Sequence, residues 1–465
     1  MVLLAACAAV GPDYIPPEVS PPAQWSAELE RGLTAERVDT QALASWWSTF
    51  NDPTLTSLVE RAIKGNLDLR QASSRVLEAR ARRGISEADR FPTVKASGSA
   101  KLSRSSEETG SGSERDLYAA GFDATWELDL FGGRQRAIEA AEAELQASEE
   151  DLRDVLVSLL AEVALNYVDV RSFQARLSVT EANIDALKET YNITQWRFQA
   201  GLTTQLDVEQ AKYNLEQARS RIPGLQTGLE QAKNRLAVLL GDSPGSVRDE
   251  LSGREPIPVT PLEIAVGVPA EVLRRRPDVR RAERGLAAQT ARIGVATAEL
   301  YPKFTLLGSI GFEALSLGKL FSTGARFYGL GPSATWTVFD AGRIRRNIEV
   351  QNVLQENALL EYEAAILTAL EDVENALVAY AKEQVRRQSL IDASQASQRA
   401  VDLARSQYLS GVTDFQSVLD AQHSLLSLKD QLAESEGKVT SNLIMLYKAL
   451  GGGWTSLAPD EKNRF

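Results

Sequence analysis

The sequence predicts a mixed α and β fold, in which very long helices and amphipathic strands each occur twice. Three observations support this prediction. Residues 134–200 and 343–410 contain neither glycine nor proline. Four shorter stretches alternate between apolar and polar residues, as β-strands with one buried face do. The same residue types also recur in the two halves of the chain at one constant spacing, which indicates an internal repeat.

The internal two-fold sequence repeat covers most of the chain, from about residue 62 to residue 451. Matched residues with the same spacing are Asp68 and Asp278, Pro92 and Pro302, Trp126 and Trp336, Gly201 and Gly411, Thr203 and Thr413, and Val208 and Val418. Residues 241–269, between the two copies, are rich in proline and glycine and are predicted to form a linker. We therefore expect the same structural unit twice in each chain.

The two stretches without glycine or proline are predicted to be single helices. Their apolar residues recur at three- and four-residue steps, as at Leu152, Val155, Leu156, Leu159 and Leu160. At 1.5 Å per residue, each helix would be about 100 Å long. A helix of that length has to pack against other long helices, in a coiled coil or an elongated bundle.

A short turn is predicted after each long helix, followed by a helix that returns along it. Glycine suits the left-handed position at a helix C-terminus, and threonine or aspartate suits the N-cap of the next helix. The residues predicted to form the two turns are Gly201, Thr203, Thr204, Gly411, Thr413 and Asp414. The return helices should cover about 205–240 and 415–450, and Pro223 should interrupt and kink only the first.

The four alternating stretches lie at 93–103, 118–129, 304–312 and 328–338. Strands of about ten residues, with one apolar face, one polar face and aromatic residues toward one end, suit a transmembrane barrel. A half-buried sheet of a soluble protein has the same alternation and is the alternative. Four strands cannot close a barrel, and lipid does not tolerate an open sheet edge. Several chains would therefore contribute to one barrel.

Composition excludes several classes of function. The 465 residues include 63 acidic and 51 basic residues, for a net charge of −12, which argues against a nucleic-acid partner. One cysteine and one histidine leave no set of Cys and His metal ligands and no internal disulfide. No cofactor or nucleophile motif accompanies His423, so we expect no enzyme. The arginines at 274–276 are interpreted as a solvated helix face rather than an anion site.

The N-terminus resembles a bacterial lipobox, in which a small-residue cleavage site precedes a cysteine that receives lipid. The residues are Leu4, Ala5, Ala6 and Cys7, and a proline-rich stretch follows them. The apolar run before Cys7 is short and has no basic residue ahead of it, so either the chain's true start lies upstream of Met1 or the resemblance is accidental. The alternative is an inert cysteine in a buried apolar N-terminus.

Eight motifs along nearly the whole chain carry a family resemblance. They are CAAVGPDYIPP from Cys7, WWSTFNDPTL at 46–55, WELDLFGG at 126–133, LRRRPDVRRAE at 273–283, YPKF at 301–304, FDAGR at 339–343, GVTDFQSVLDAQ at 411–422 and LYKALGGGW at 446–454. In this order and spacing, they resemble the TolC-like outer-membrane efflux proteins. The resemblance is to the lipoprotein branch of the outer-membrane factors of tripartite drug pumps.

The resemblance implies a homotrimer, a 12-stranded transmembrane β-barrel with four strands from each chain, and a long α-helical barrel that continues it into the periplasm. An equatorial domain would surround the helices. The implied segments are 1–24 for the signal remnant and lipobox, 25–90 for equatorial and first helices, 91–130 and 301–341 for barrel hairpins, 131–240 and 342–450 for helical hairpins, 241–269 for an equatorial linker, 270–300 for the first helix of the second copy, and 451–465 for the tail.

The function implied is a passive exit duct for small toxic compounds, anchored by lipid in the outer membrane. Its partners would be a periplasmic adaptor, an inner-membrane transporter and outer-membrane lipids. Two alternatives remain open. One is the outer-membrane duct of a protein secretion system, and the other is a trimeric surface adhesin with a coiled-coil stalk. Conductance of the purified protein in a planar bilayer would separate a duct from an adhesin.

The resemblance also suggests site residues. The turn residues Gly201, Thr203, Thr204, Gly411, Thr413 and Asp414 would form periplasmic tips that contact the adaptor, and Trp126, Trp336 and Tyr328 would lie at the membrane interface. Gln416, Asp420 and His423 share one helix face and would form a periplasmic gate. Because histidine changes its charge between about pH 5 and 8, pairing of His423 with Asp420 predicts tighter closure in acid.

Overall fold

The computed structural model describes residues 9–18, 20–258 and 263–454, and it is mostly helical. The chain divides into two compact units. The first, which we call the sheet unit, comprises Met1–Val19, Ser74–Glu150 and Arg280–Ala364. The second, the helical unit, comprises Ser20–Ser73, Asp151–Val279 and Ala365–Phe465. Cys7, the predicted lipidation residue, lies outside the described residues.

Six strands and nine α-helices form within the described residues. The strands are β1 (Leu33–Thr34), β2 (Thr93–Arg104), β3 (Glu114–Leu128), β4 (Ile264–Ala265), β5 (Lys303–Ala314) and β6 (Arg326–Thr335). The helices are α1 (Thr40–Ala44), α2 (Pro53–Gly65), α3 (Leu67–Ala88), α4 (Gly133–Gln199), α5 (Gln205–Leu239), α6 (Pro269–Arg275), α7 (Pro277–Ala298), α8 (Arg343–Leu409) and α9 (Phe415–Ala449). Short 3-10 helices cover Trp46–Phe50, Leu317–Lys319 and Thr323–Ala325.

The sheet unit is built around a four-stranded antiparallel sheet with the order β2-β3-β5-β6. Its register places the apolar residues of all four strands in continuous rows, one of which is Ala96, Phe122, Ile310 and Tyr328. These side chains stand exposed on one face, and Tyr328 is 88% exposed. Polar residues such as Lys95, Asp123 and Ser309 occupy the opposite face, as the alternation predicts.

The fourth predicted strand is three residues too long. The alternation predicts Trp336 and Val338 on this strand, but β6 ends at Thr335. Thr335 pairs with Lys303, the first residue of β5, so later residues have no partner to continue the ladder. Instead, the Trp336 indole Nε1 donates a hydrogen bond to the carbonyl oxygen of Leu300, at 3.0 Å. Alternation alone could not reveal this limit, because the pairing strand sets it.

Trp126 and Trp336 occupy matching places at the base of the sheet. The Trp126 Nε1 donates to the carbonyl oxygen of Arg90 at 2.8 Å, just after α3, and Trp336 makes the equivalent bond just after α7. Tyr328 lies elsewhere, because it pairs with Ile310, while Trp126 pairs with Leu306. The three predicted interface aromatics therefore occupy two levels of the sheet.

The helical unit has a large apolar core. Trp46, Trp47 and Phe50 are buried in it, and the Trp46 ring stacks on Tyr447 with centroids 5.4 Å apart. Helix α2 begins where the Asp52 side chain accepts a hydrogen bond from the Leu55 amide. Gly65 and Gly241 bring two backbone segments into contact, since a Cβ on Gly65 would lie 2.1 Å from the Leu240 carbonyl oxygen.

Pro223 does not interrupt the first return helix. Helix α5 runs unbroken from Gln205 to Leu239, with Pro223 inside it. Proline removes one backbone hydrogen bond and costs about 3 kcal/mol in a helix interior. Buried residues on both sides of Pro223, including Leu215, Ala218 and Leu236, hold the helix through tertiary packing instead. The predicted break was therefore wrong.

The three arginines at 274–276 are not a single solvated face. Arg274 is exposed, but Arg275 donates through Nε to the carbonyl oxygen of Leu450 at 2.9 Å. Arg276 is buried and donates to Asp278 and Asp372 at 2.7 and 2.8 Å, and to the carbonyl oxygens of Ala369 and Ala449. The last carbonyls of a helix lack partners within it, and these guanidinium groups satisfy those at the end of α9.

Candidate functional site

The turn between α4 and α5 is a compact helix ending that only glycine accommodates easily. Gly201 has a φ of +72°, in the left-handed region. The Gly201 amide donates to the Phe198 carbonyl oxygen at 2.9 Å, and the Leu202 amide donates to the Arg197 carbonyl oxygen at 2.8 Å. These two bonds satisfy carbonyl groups that the end of α4 would otherwise leave without a partner.

The turn between α8 and α9 has the same geometry. Gly411 also has a φ of +72°. Its amide donates to the Tyr408 carbonyl oxygen at 3.1 Å, and the Val412 amide donates to the Gln407 carbonyl oxygen at 2.9 Å. The glycine positions predicted from the sequence therefore form matched helix endings, which we call tip 1 (201–207) and tip 2 (411–417).

The two tips cap their return helices with the same kinds of side chain in exchanged positions. The hydroxyl is at the N-cap in tip 1, and the carboxylate is at the N-cap in tip 2. In tip 1, the Thr204 hydroxyl accepts from the Asp207 amide, and the Asp207 carboxylate accepts from the Thr204 amide at 3.0 Å, which completes a capping box. In tip 2, the carboxylate belongs to the cap itself. Asp414 accepts from the Ser417 amide at 3.0 Å and from the Ser417 hydroxyl at 2.7 Å.

Both tip carboxylates are stabilised as anions. Bonds from the Ser417 hydroxyl and amide lower the pKa of Asp414. Partial burial opposes ionisation of Asp207, but hydrogen bonds from Thr203 and Thr204 outweigh it, so its pKa is also lowered. A carboxyl whose folded-state pKa is lowered stabilises the fold above its unfolded pKa. The caps should therefore hold at neutral pH and weaken as the pH falls through the lowered values.

Exposed apolar side chains surround the tips. Leu202, Leu206 and Val412 all project into solvent. Beneath them, Ala211, Phe415, Val418 and Leu419 form a buried cluster. The Arg197 guanidinium lies 4.6 Å above the Tyr408 ring, which contacts Phe415 in turn. The sequence prediction named the glycines and caps but missed these leucines and Val412, although their place in the turns was a usable signal. An apolar tip on a supported base suits contact with another protein.

Gln416, Asp420 and His423, the predicted gate residues, lie exposed on α9. The Gln416 Nε2 donates to an Asp420 carboxylate oxygen at 2.8 Å. In the part of the chain that the structure describes, His423 makes no hydrogen bond or ion pair, so the predicted pairing with Asp420 is not found within the chain. His423 instead lines a cleft with Arg221 of α5 and Gln422. Gln416, and not His423, therefore forms the side-chain hydrogen bond to Asp420.

Three polar contacts join helices of the helical unit near these residues. Arg176 of α4 holds Asp430 of α9 with two bonds of 2.8 and 3.1 Å. Arg405 of α8 pairs with Glu189 of α4 at 2.5 Å. The Gln422 Nε2 donates to the Thr190 hydroxyl at 2.9 Å. No spacing in the sequence indicates such pairs, because their partners lie on different helices.

Residues 9–14, just after Cys7, pack against other segments of the sheet unit. The Val10 amide donates to the Phe131 carbonyl oxygen at 3.0 Å. Arg136 is buried and donates to the Val10 carbonyl oxygen and to Asp13, at 3.1 and 2.6 Å. A Cβ on Gly11 would lie 2.4 Å from the Gly294 Cα, so only glycine permits this approach. The described residues include no helix apolar and long enough to cross a membrane, and no group of side chains that could hold a metal.

Comparison with known proteins identifies the family. The model of the outer membrane efflux protein family matches residues 58–242 and again residues 268–452. Nodulation protein T of Rhizobium leguminosarum bv. trifolii is 33% identical over 463 residues, 98% of this chain and 97% of the relative. The toluene efflux pump outer membrane protein TtgI of Pseudomonas putida is 32% identical over the same shares. The structure of the outer-membrane channel OprN has a TM-score of 0.91 and 37% identity, covering 96% of this chain and 99% of that one. The chain belongs to the outer membrane efflux protein family.

Proposed function

We propose that the chain is the outer-membrane exit duct of a tripartite efflux pump. This proposal rests mainly on the four-stranded sheet. One face of the sheet is apolar and exposed, and the other face is polar. An exposed apolar face of this extent suits lipid, and a polar face suits a water-filled path. Relatives named for toluene efflux and for pyoverdine export support the same role.

We infer that three chains assemble into one duct, with four strands from each chain in a 12-stranded barrel. Strands β2 and β6 form the edges of the sheet, and lipid does not tolerate such edges unpaired. A neighbouring chain would pair with each edge. Helix α8 also carries exposed Val353, Leu360 and Leu367 at a seven-residue spacing, which is the pattern of a coiled-coil seam. The helices would continue the barrel into the periplasm, within an equatorial domain.

We further propose that the tips of the helical unit contact a periplasmic adaptor, which links the duct to an inner-membrane transporter. Gly201, Thr203, Thr204, Gly411, Thr413 and Asp414 would form this contact with the exposed leucines around them. The transporter would supply the energy, so the duct needs neither a cofactor nor catalytic residues. Aromatic side chains at the sheet base, Trp126 and Trp336, would lie at the membrane interface, with Tyr328 facing lipid.

Planar-bilayer conductance of the purified protein tests the proposed duct. Trimers should insert and form pores of uniform size, while protein dissociated into single chains should form none. Replacing Leu360 with lysine on the α8 seam should reduce both the trimer fraction and the pore count, because a charge would be buried in the seam. Stable trimers that form no pores, either as wild type or with Asp420→Ala, would exclude the duct and favour an adhesin.

The gate proposal concerns Gln416, Asp420 and His423, which would repeat three times around the narrow end of the duct. Asp420→Ala should enlarge the resting single-channel conductance, because it removes three carboxylates and frees Gln416 from its hydrogen bond. Ser424→Ala, one turn further along the exposed face, is the matched control and should leave conductance unchanged. Unchanged conductance in Asp420→Ala would remove Asp420 from the constriction.

The histidine is tested separately. Conductance of wild type and His423→Ala should be compared across about pH 5 to 8, where histidine changes its charge. Identical profiles would exclude a role for His423 in closure, even if Asp420 forms the constriction. A difference confined to acid would place His423 in the gate.

We propose Cys7 as the lipidation site that anchors the duct to the outer membrane. Acyl chains add membrane affinity, but a barrel anchors itself, so Cys7→Ser should lose labelling with a radioactive fatty acid while trimers stay in the membrane. Ser20→Ala serves as a control for the extended N-terminal segment. Persistent labelling of Cys7→Ser would show that another residue receives the lipid.

A further inference from the structure

Three large apolar side chains, those of Leu117, Leu307 and Phe327, lie on the polar face of the sheet. Leu307 of β5 and Phe327 of β6 share this face with Lys95, Asp123 and Ser309, as the register shows. Leu307 is 45% exposed and Phe327 is 37% exposed, so both remain accessible. These apolar residues break the alternation of apolar and polar side chains along the strands. Their position therefore needs an explanation of its own.

The Phe327 ring lies over a position of the sheet where the neighbouring strands have glycine and no side chain. It pairs with Gly311, which pairs in turn with Gly121 on the other side. A Cβ on Gly311 would lie 2.9 Å from the Phe327 Cε1 and 2.6 Å from the Ala120 carbonyl oxygen. The ring therefore covers Gly311, and its outer surface faces away from the sheet. A side chain on Gly311 would displace the ring.

The surface between Leu307 and Phe327 has no bulky side chain. Leu307 pairs with Gly331, and Ser309 pairs with Gly329 in the intervening row. A Cβ on Gly331 would meet no atom within 4 Å, so the space above it is open. Four residues of an antiparallel strand span about 14 Å, which is the distance from the Leu307 row to the Phe327 row. A small aromatic molecule is shorter than this distance, so it can lie against Phe327 without reaching Leu307.

A carboxylate adjoins the Phe327 ring. Glu313 lies two residues beyond Gly311 on the same face of β5, which makes it a diagonal neighbour of Phe327. Glu313 is exposed and makes no hydrogen bond or ion pair within the described residues. Asp123, in the row between Leu307 and Phe327, pairs across the strands with Lys95 and accepts from the Ser97 hydroxyl at 3.1 Å. Glu313 is therefore the free negative charge beside the ring.

We propose that Phe327 and Glu313 form a contact site for small aromatic cations on the inner wall of the duct. The aromatic ring of such a solute would pack on the Phe327 ring, and its cationic group would lie beside the Glu313 carboxylate. The proposal rests on the proposed function, because that function places the polar face toward the water-filled path.

A purely structural role for Phe327 makes a different prediction. Aromatic rings often cover a glycine in a neighbouring strand and stabilise the sheet in that way. If this were the only role, replacing Phe327 would alter sheet stability but not the choice among solutes. The test therefore has to compare two solutes in the same open pore, so that a general change in pore size cancels.

The probes are phenyltrimethylammonium and tetramethylammonium, which share a charged group and differ by one ring. Current through single reconstituted pores should show longer blockades by the aromatic cation in wild type. Phe327→Leu should reduce the blockade ratio of the two probes roughly two- to five-fold, because only the aromatic probe has a ring to pack on Phe327, and Phe327→Tyr should keep the ratio. Glu313→Gln should shorten blockades by both cations. Ser333→Ala, on the same face of β6, is the matched control and should change neither.

The outcomes separate this proposal from the proposed function. A blockade ratio that is equal in wild type and Phe327→Leu would overturn the contact site while leaving the duct intact. Blockades that Glu313→Gln does not shorten would remove the carboxylate from it. Protein that forms no pores, either as wild type or with Asp420→Ala, would contradict the duct itself. Circular dichroism of each variant, together with its trimer fraction, checks that the sheet is unchanged.

Discussion

Replacing Arg276 with alanine should destabilise the fold by about 3–5 kcal/mol, the usual cost of breaking a buried ion pair. The Arg276 guanidinium is buried and holds Asp278 and Asp372 through short bonds. Alanine would leave the Asp278 carboxylate without its main partner, and burial penalises an unpaired charge. The Ala449 carbonyl oxygen at the end of α9 would also lose a donor.

The neighbouring Arg274 provides a matched control. It is exposed, so Arg274→Ala should change stability by no more than about 0.5 kcal/mol. Thermal unfolding of both variants in detergent, followed by the helical circular dichroism signal, measures the difference. A long multidomain chain does not unfold in two states, so the comparison should use midpoints rather than extrapolated free energies. Equal midpoints for the two variants would show that the ion pair does not support the fold.

Replacing Gly201 or Gly411 with proline should abolish efflux while leaving the barrel and the trimer intact. Both glycines have a φ of +72°, and proline fixes φ near −65°, so the helix ending cannot form. Proline also removes the amide that donates to Phe198 or Tyr408. The tip would lose its shape, and with it the surface proposed to contact the adaptor.

Alanine at the same positions distinguishes the effect of the fixed proline backbone from the effect of an added side chain. A Cβ on either glycine would meet no atom within 4 Å, so Gly201→Ala and Gly411→Ala add only the cost of a left-handed residue, about 1–2 kcal/mol. They should keep much of the efflux that proline removes. The measurement is accumulation of a fluorescent export substrate in cells, with trimers and bilayer pores checked in parallel. Full efflux in both proline variants would exclude the tips from docking.

Much of the local structure could be predicted from residue pattern. Strict alternation of apolar and polar residues predicted β2 and β3. Helical periodicity without glycine or proline predicted α4 and α8. Gly201 and Gly411 marked the turns, because few other residues adopt a left-handed φ. These features depend on neighbouring residues only, so a single sequence carries enough information to predict them.

What the sequence could not reveal depends on partners far along the chain. The end of β6 depends on where β5 begins, and the burial of Arg276 depends on α8 and α9. Helix α5 continues through Pro223 because packing on both sides outweighs a local penalty. In the candidate site, the helix caps could be predicted from the sequence. The hydrogen bond from Gln416 to Asp420 could not, because the helix face also allowed other pairings, such as Asp420 with His423.

The exchanged positions of the capping residues in the two tips affect how many copies of a partner should bind with each affinity. Tip 1 carries its carboxylate on Asp207, inside the helix, and tip 2 carries it on Asp414, at the outer edge of the turn. A three-chain duct would present six tips of nearly equal shape but of two alternating kinds. A ring of six identical partner hairpins would then bind with two affinities rather than one. Titration of such a partner should saturate in two steps of three, and Asp414→Thr together with Ser417→Asp should merge them into one.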